Sequence, residues 1–103
     1  MKNMNEIMRQ AQKMQQKMQK IQEELESREI AATVGGGMVE AKVNGKGQML
    51  ALRLEKEVVD PQDIDMLTDL IVAAVSEAQR QASEMMEREM SGITGGFKMP
   101  GMF

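Results

Sequence analysis

The sequence predicts an α+β fold in the order α-β-β-β-α: a long N-terminal helix, a three-stranded antiparallel sheet and a long C-terminal helix. Three observations carry that prediction. Residues 3–28 repeat apolar side chains about every 3.5 positions. Residues 29–56 switch to alternation and contain the dipeptide Asn44-Gly45. From Asp60 a capping pattern opens a second long helical stretch. At 103 residues the chain fits one domain, 1–103, divided into a basic helix (1–28), a sheet (29–56), a helix (60–91) and a Gly/Met-rich tail (92–103).

In the first helix the apolar residues are Met4, Ile7, Ala11, Met14, Met18, Ile21 and Leu25, in alternating steps of three and four. No Gly or Pro interrupts them. Such a helix spans about 38 Å at ~1.5 Å per residue. A compact domain of this size has a radius of gyration of only ~13 Å. Part of the seam therefore overhangs its own core, and an exposed heptad seam takes a partner helix, which points to a homodimer.

The strands follow. Glu29 to Val34 form a short, weak strand, broken by Gly35-Gly36-Gly37. Residues 38–43 alternate in character, as a half-buried strand does. Asn44-Gly45 signals a type I′ hairpin turn, in which both central residues take positive φ, and Lys46-Gly47 lengthens the loop. Residues 48–54 return, with Leu50, Leu52 and Leu54 on one face and Met49, Ala51 and Arg53 on the other. The sheet is expected to bury one face.

Asp60 suits the N-cap of the last helix, Pro61 its first position, and Asp63 the positive end of its dipole. The helix should run from 61 to about 91. It carries an apolar face that includes Ile64, Leu67, Leu70, Ile71, Ala74, Ala78, Ala82 and Met85. The three alanines keep one stripe small and permit close approach of another element. Gly92 should end the helix. The tail beyond it sets Phe97, Met99, Met102 and Phe103 among Gly and Pro, as a partly mobile end or a segment that docks on a partner.

Composition narrows the function. There is no Cys, hence no disulfide, thiolate metal site or redox pair. There is no His, Tyr or Trp, and no nucleophile–base pair, carboxylate pair or metal-ligand set emerges from what remains. Asp60, Asp63, Asp65 and Asp69 do not match a calcium loop, and neither glycine cluster matches a phosphate loop. The chain reads as a non-enzyme with no cofactor and no small-molecule substrate. No apolar run approaches the ~20 residues that cross a bilayer, and the N-terminus lacks the apolar core of a secretory signal. A soluble, cytoplasmic protein without a membrane partner is expected. Thirteen methionines supply adaptable packing in place of aromatics.

The net charge of −3 hides an asymmetry. Residues 1–20 carry Lys2, Arg9, Lys13, Lys17 and Lys20 against Glu6, a net of +4. Residues 60–90 carry eight acids against Arg80 and Arg88, a net of −6. At about 100° per residue the five first-helix cations fall within roughly 80° of arc, about 135° from the apolar seam. The ridge covers ~27 Å, and duplex DNA carries one charge per ~1.7 Å of axis. Charge alone fits an ordinary solvated face as well as a polyanion site, and Glu6 lies in the same arc. Nothing forms a helix-turn-helix or finger, so phosphate-dominated binding is favoured over base readout. The absence of aromatics on the ridge disfavours single strands. Two other readings use the same residues. Met-rich helices and an apolar tail would suit a protein-interaction adaptor. A helix basic on one face and apolar on the other would suit a membrane surface, against which the strict heptad and the lack of Trp and Phe both argue.

The succession of a basic Met/Gln/Lys-rich helix, GGGMVEAKVNGKGQMLALRL, DPQDIDMLTDLIVAAVSEAQRQASEMM and GITGGFKMPGMF resembles the YbaB/EbfC family of bacterial nucleoid-associated DNA-binding proteins over nearly the whole chain. The resemblance implies the α-β-β-β-α order and a tight, intertwined homodimer with helices protruding like tweezers. It also implies binding to double-stranded DNA in the nucleoid, with effects on DNA conformation or transcription. It assigns DNA contact to basic residues of the first and last helices. Here these are Arg9, Lys13, Lys17 and Lys20, joined by Lys2, and then Arg80 and Arg88, which stand among Glu77, Glu84, Glu87 and Glu89.

Overall fold

The structure is a computed structural model that describes residues 3–94, with side chains through residue 92. Lys2 and the tail from residue 95 lie outside the described residues. Helix α1 spans Met4–Ser27. It is capped by Asn3, whose Oδ1 accepts a hydrogen bond from the Glu6 N–H at 2.9 Å. Arg28 leaves the helix in an extended conformation, and the chain enters the sheet at once. Strand β1 is Glu29–Val34, β2 is Val39–Asn44 and β3 is Met49–Leu54, antiparallel neighbours in that order. A short 3₁₀ turn, Lys56–Val58, leads to helix α2, Ile64–Thr94. The expected α-β-β-β-α order is therefore present.

The register decides where the core forms. Ile30 pairs with Val43, Ala32 with Ala41 and Val34 with Val39, so these six side chains share one face. Helix α2 lies over it, with Ala74, Ala78 and Ala82 fully buried. Methyl-sized side chains on that stripe let the helix sit close to the strands.

Strand β3 departs from the expected single buried face. Met49, Leu50 and Leu52 are 43%, 50% and 41% exposed. The cause is coverage: α2 packs across β1 and β2 and stops short of the edge strand. A bulge also changes the alternation. Lys42 pairs with Ala51 but Val43 with Met49, so Leu50 is the extra residue. Met49, rather than Leu50, thereby shares the inner side with Leu52 and Leu54.

The hairpin forms where Asn44-Gly45 places it, for a different reason. Neither residue has positive φ; Gly47 does, at +83°. The Gly47 N–H donates to the Asn44 carbonyl at 2.9 Å, and Asn44 Oδ1 accepts from the N–H groups of Lys46 and Gln48, both at 3.0 Å. This is a three-residue loop closed by a left-handed glycine, not a type I′ turn. Gly45 is needed for proximity. Its N–H donates to the Leu25 carbonyl at 2.7 Å, and a Cβ there would stand 2.6 Å from that oxygen.

Helix α2 begins three residues later than the capping pattern predicts. The Asp60 carboxylate accepts from the Gln62 N–H, so Asp60 and Pro61 form a local turn. Asp63 is the cap, accepting from the Met66 N–H at 3.2 Å. Gly92 does not stop the helix, which continues to Thr94. A helical glycine costs about 1 kcal/mol without breaking the hydrogen-bond ladder.

The overhang of α1 is as expected. The molecule measures 72 × 27 × 17 Å and its radius of gyration is 19.8 Å, well above the ~13 Å of a compact chain this long. Along the heptad seam Leu25 is buried, Ile21 and Met14 are half-buried, and Met4 and Ile7 are exposed.

Replacing Gly45 tests the close approach. Gly45→Ala should lower unfolding free energy by roughly 2–3 kcal/mol, as overpacking does, seen as a lower denaturation midpoint at unchanged slope. Gly45→Asn should cost at least as much, although Asn tolerates left-handed backbone. A mild Asn effect beside a severe Ala effect would restore the turn-geometry explanation.

Candidate nucleic-acid interface

Helix α1 is a rod with one charged side. Arg9, Lys13, Lys17 and Lys20 are all exposed. None pairs with a carboxylate among the described residues, whose ion pairs involve Arg28, Lys46, Arg53 and Arg80 instead. The successive spacings of four, four and three place like charges side by side on the helix. Each such pair is destabilising by a few tenths of a kcal/mol. A polyanion along the ridge would relieve that repulsion. From Arg9 to Lys20 the ridge is about 17 Å long.

The other end of α1 fixes which way the ridge points. Leu25 is buried against Gly45. Glu26 receives the Lys46 ammonium at 2.9 Å, and Arg28 reaches Glu89 of α2 at 3.5 Å. Arg28 also contacts the Met85 sulfur at 3.8 Å. The seam side of α1 is thereby turned toward the body, and the basic arc, about 135° away, faces solvent. Arg28 and Lys46 did not stand out in the sequence, because their partners lie 61 and 20 positions away, beyond any local pattern.

The α2 candidates differ from the α1 set. Arg80 is held by Glu77 at 2.6 Å and by Glu84 at 2.5 Å. Its hydrogen bonds, with help from Gln81, pull the Glu77 carboxyl down to about 2, and Glu77 holds the guanidinium still further above its usual range. Its charge is already spent on two acids. Arg88 is exposed and has no ion pair among the described residues, but it shares its stretch of α2 with Glu84, Glu87 and Glu89. The structure brings Arg9, Lys13, Lys17 and Lys20 onto one face and leaves Arg80 and Arg88 on a different helix.

Other chemistry is poorly supplied. Among the described residues no group of three or more acids could hold a metal ion, and no helix is long and apolar enough to cross a membrane. An open cleft where the β2–β3 loop meets α2 is lined by Gly45, Lys46, Gly47, Gln79, Ser83 and Met86. Its one cation is the Lys46 already paired with Glu26.

Similarity to known proteins points the same way. The sequence model of the YbaB/EbfC DNA-binding family matches residues 1–97. A nucleoid-associated protein of Clostridium novyi is 54% identical over 101 residues, covering 98% of this chain and 89% of that one. One from Alkaliphilus metalliredigens is 50% identical at the same coverage. One from Pelotomaculum thermopropionicum is 45% identical and is covered to 96%. Among solved structures, an uncharacterized protein of Helicobacter pylori superposes with a TM-score of 0.82. The match covers 90% of this chain and 98% of that one at 15% identity, a likeness of fold.

The commitment of Arg80 is measurable. A carboxyl NMR titration of Glu77 should give a midpoint near 2, and Arg80→Ala should return it toward about 4.3. The folded value is the lowered one. The pair's contribution is therefore present above the ordinary carboxylate range and disappears as pH falls toward 2. A midpoint indifferent to Arg80 would show the guanidinium to be available for other anions.

Proposed function

The chain belongs to the YbaB/EbfC DNA-binding family, and from that premise we propose that it is a nucleoid-associated protein, not an enzyme, that binds duplex DNA as a homodimer through phosphate contacts. The carrying observation is the ridge of Arg9, Lys13, Lys17 and Lys20, exposed and unpaired among the described residues on a helix anchored at its far end. Lys2, which lies outside the described residues, is included with them as a phosphate contact. Point charges on flexible stems suit phosphates rather than base edges. The site of action is the nucleoid in the cytoplasm, in keeping with the names of the relatives. Neutralising phosphates along one side of the duplex is the means by which it would alter DNA conformation and so gene expression.

The second copy has a place to go. Val72, Val75 and Gln79 follow one flank of α2, and Gln79 donates to the Gly47 carbonyl at 3.1 Å, so that flank overlooks β3. Met49 and Leu52 of β3 and Val72 of α2 are exposed and would form the sides of one apolar trough. It would continue the core outward and end at an edge strand whose backbone lacks a neighbour on one side among the described residues. A twin placed there would complete both cores and leave each α1 projecting. This assigns dimerisation to the trough rather than to the α1 seam.

Binding to random-sequence duplex should weaken with salt at a log–log slope between about −3 and −8. Lys13→Glu, Lys17→Glu and Lys20→Glu together should abolish the gel shift while sedimentation still reports a dimer. Arg80→Ala should change affinity less than about twofold, since its loss frees no phosphate contact. Leu52→Asp should give monomers at micromolar concentration, with roughly half the salt slope. A salt-independent affinity, or a triple variant that shifts DNA normally, would remove the ridge from the mechanism.

A further inference from the structure

Toward its N-terminus α1 carries an apolar stripe that nothing among the described residues covers. Met4 is 72% and Ile7 50% exposed, whereas Ile21 and Leu25, lower on the same seam, are half-buried and buried. Helix α2 covers the lower part. Arg28, just past the end of α1, reaches Met85 and Glu89, and Met86 lines the cleft with Gly45, against which Leu25 packs. Because α1 runs into the sheet at this end and α2 runs out past it, the two helices are antiparallel. Helix α2 continues about 18 Å beyond Ala82 and ends at Thr94.

Nine residues remain after Thr94, and their composition matches the stripe. They contain Phe97, Met99, Met102 and Phe103, so both aromatics of the chain are here. They contain no acidic side chain that would draw the ridge lysines away from other anions. Fully extended, nine residues reach about 30 Å. The exposed seam from Ala11 back to Met4 is about 10 Å long. As part of the same chain the segment has an effective concentration at the stripe on the order of millimolar, far above that of a second copy at micromolar strength. We propose that residues 97–103 dock on the α1 seam of their own chain between Met4 and Met14, continuing in cis the cover that α2 provides lower down. The docked segment would hold the N-terminal turns of α1 helical and so keep the basic ridge straight. This docking does not rest on the DNA-binding reading, and its tests use no DNA.

The chain has no cysteine, so a designed pair reads cleanly. Ile7→Cys with Phe97→Cys should form an intrachain disulfide under mild oxidation, seen by mass and on a non-reducing gel. Arg9→Cys with Phe97→Cys, on the opposite side of the rod, should remain mostly reduced. Separately, hydrogen exchange of residues 4–14 should accelerate at least tenfold in a chain ending at Thr94, with exchange in β1 and β2 unchanged. An interchain disulfide at Ile7, equal crosslinking of both pairs, or exchange in residues 4–14 indifferent to the truncation would each overturn the proposal.

Discussion

The backbone contact between Gly45 and Leu25 is the joint on which the rest of this molecule turns. A 2.7 Å hydrogen bond closes it, and no side chain larger than hydrogen fits at Gly45 without displacement. It ties the end of a 24-residue helix to the tip of a hairpin, and the ion pairs Glu26–Lys46 and Arg28–Glu89 brace it on two sides. A helix held at one end is a lever. A small rotation at Leu25 would swing the far lysines through many ångströms, so placement of the charged face is settled at a point remote from it. The exposed bracing pairs add little energy individually; their value is in fixing orientation about a joint already made by packing and a buried hydrogen bond.

Charge is sorted along the same lever. Glu26 beside the joint is used internally, as are Glu77 and Glu84 around Arg80, while the cations farther out on α1 are left unpaired among the described residues. The acids at the start of α2 belong to the opposite end of the sheet, where Leu70 lies against Gly35. Along a molecule 72 Å long, with screening over about 10 Å at moderate salt, the two ends act independently. A phosphate approaching the rod meets the local ridge and not the net charge of −3.

Much of this was legible in the sequence because it rests on short-range periodicity. The heptad of α1, the alanine stripe of α2 and the alternation of β1 and β2 each encode a face, and a face is what packing reads. Asn44-Gly45 located the hairpin but misdirected its geometry, since the glycine's task was set by Leu25, twenty positions earlier. The exposure of Leu50 and Leu52 was illegible for a similar reason. Alternation says that a strand has two sides, not how far a helix from elsewhere extends across one of them. In the candidate interface, spacing found the α1 ridge, and the glutamates at i−3 and i+4 from Arg80 already signalled a guanidinium engaged at home. The helix start shifted because Asp60 and Asp63 both suit a cap, and only the backbone turn at Pro61 chooses between them.

The uncovered sheet edge and the projecting rod belong to one economy of structure. The core rests on alanine and valine, with Leu25, Val39 and Val43 its largest fully buried side chains. A domain this small buries a modest fraction of its surface even when complete, and here the inner side of β3 is left open. Covering that side with a second copy adds apolar burial where the single chain is poorest, at about 25 cal/mol per Å², without using the outer half of α1. Pairing through the rods would do the opposite, covering the exposed half of the α1 seam and leaving the core incomplete. The position of the missing burial therefore favours a dimer built at the sheet, with the two charged levers held apart and each free to meet a phosphate backbone.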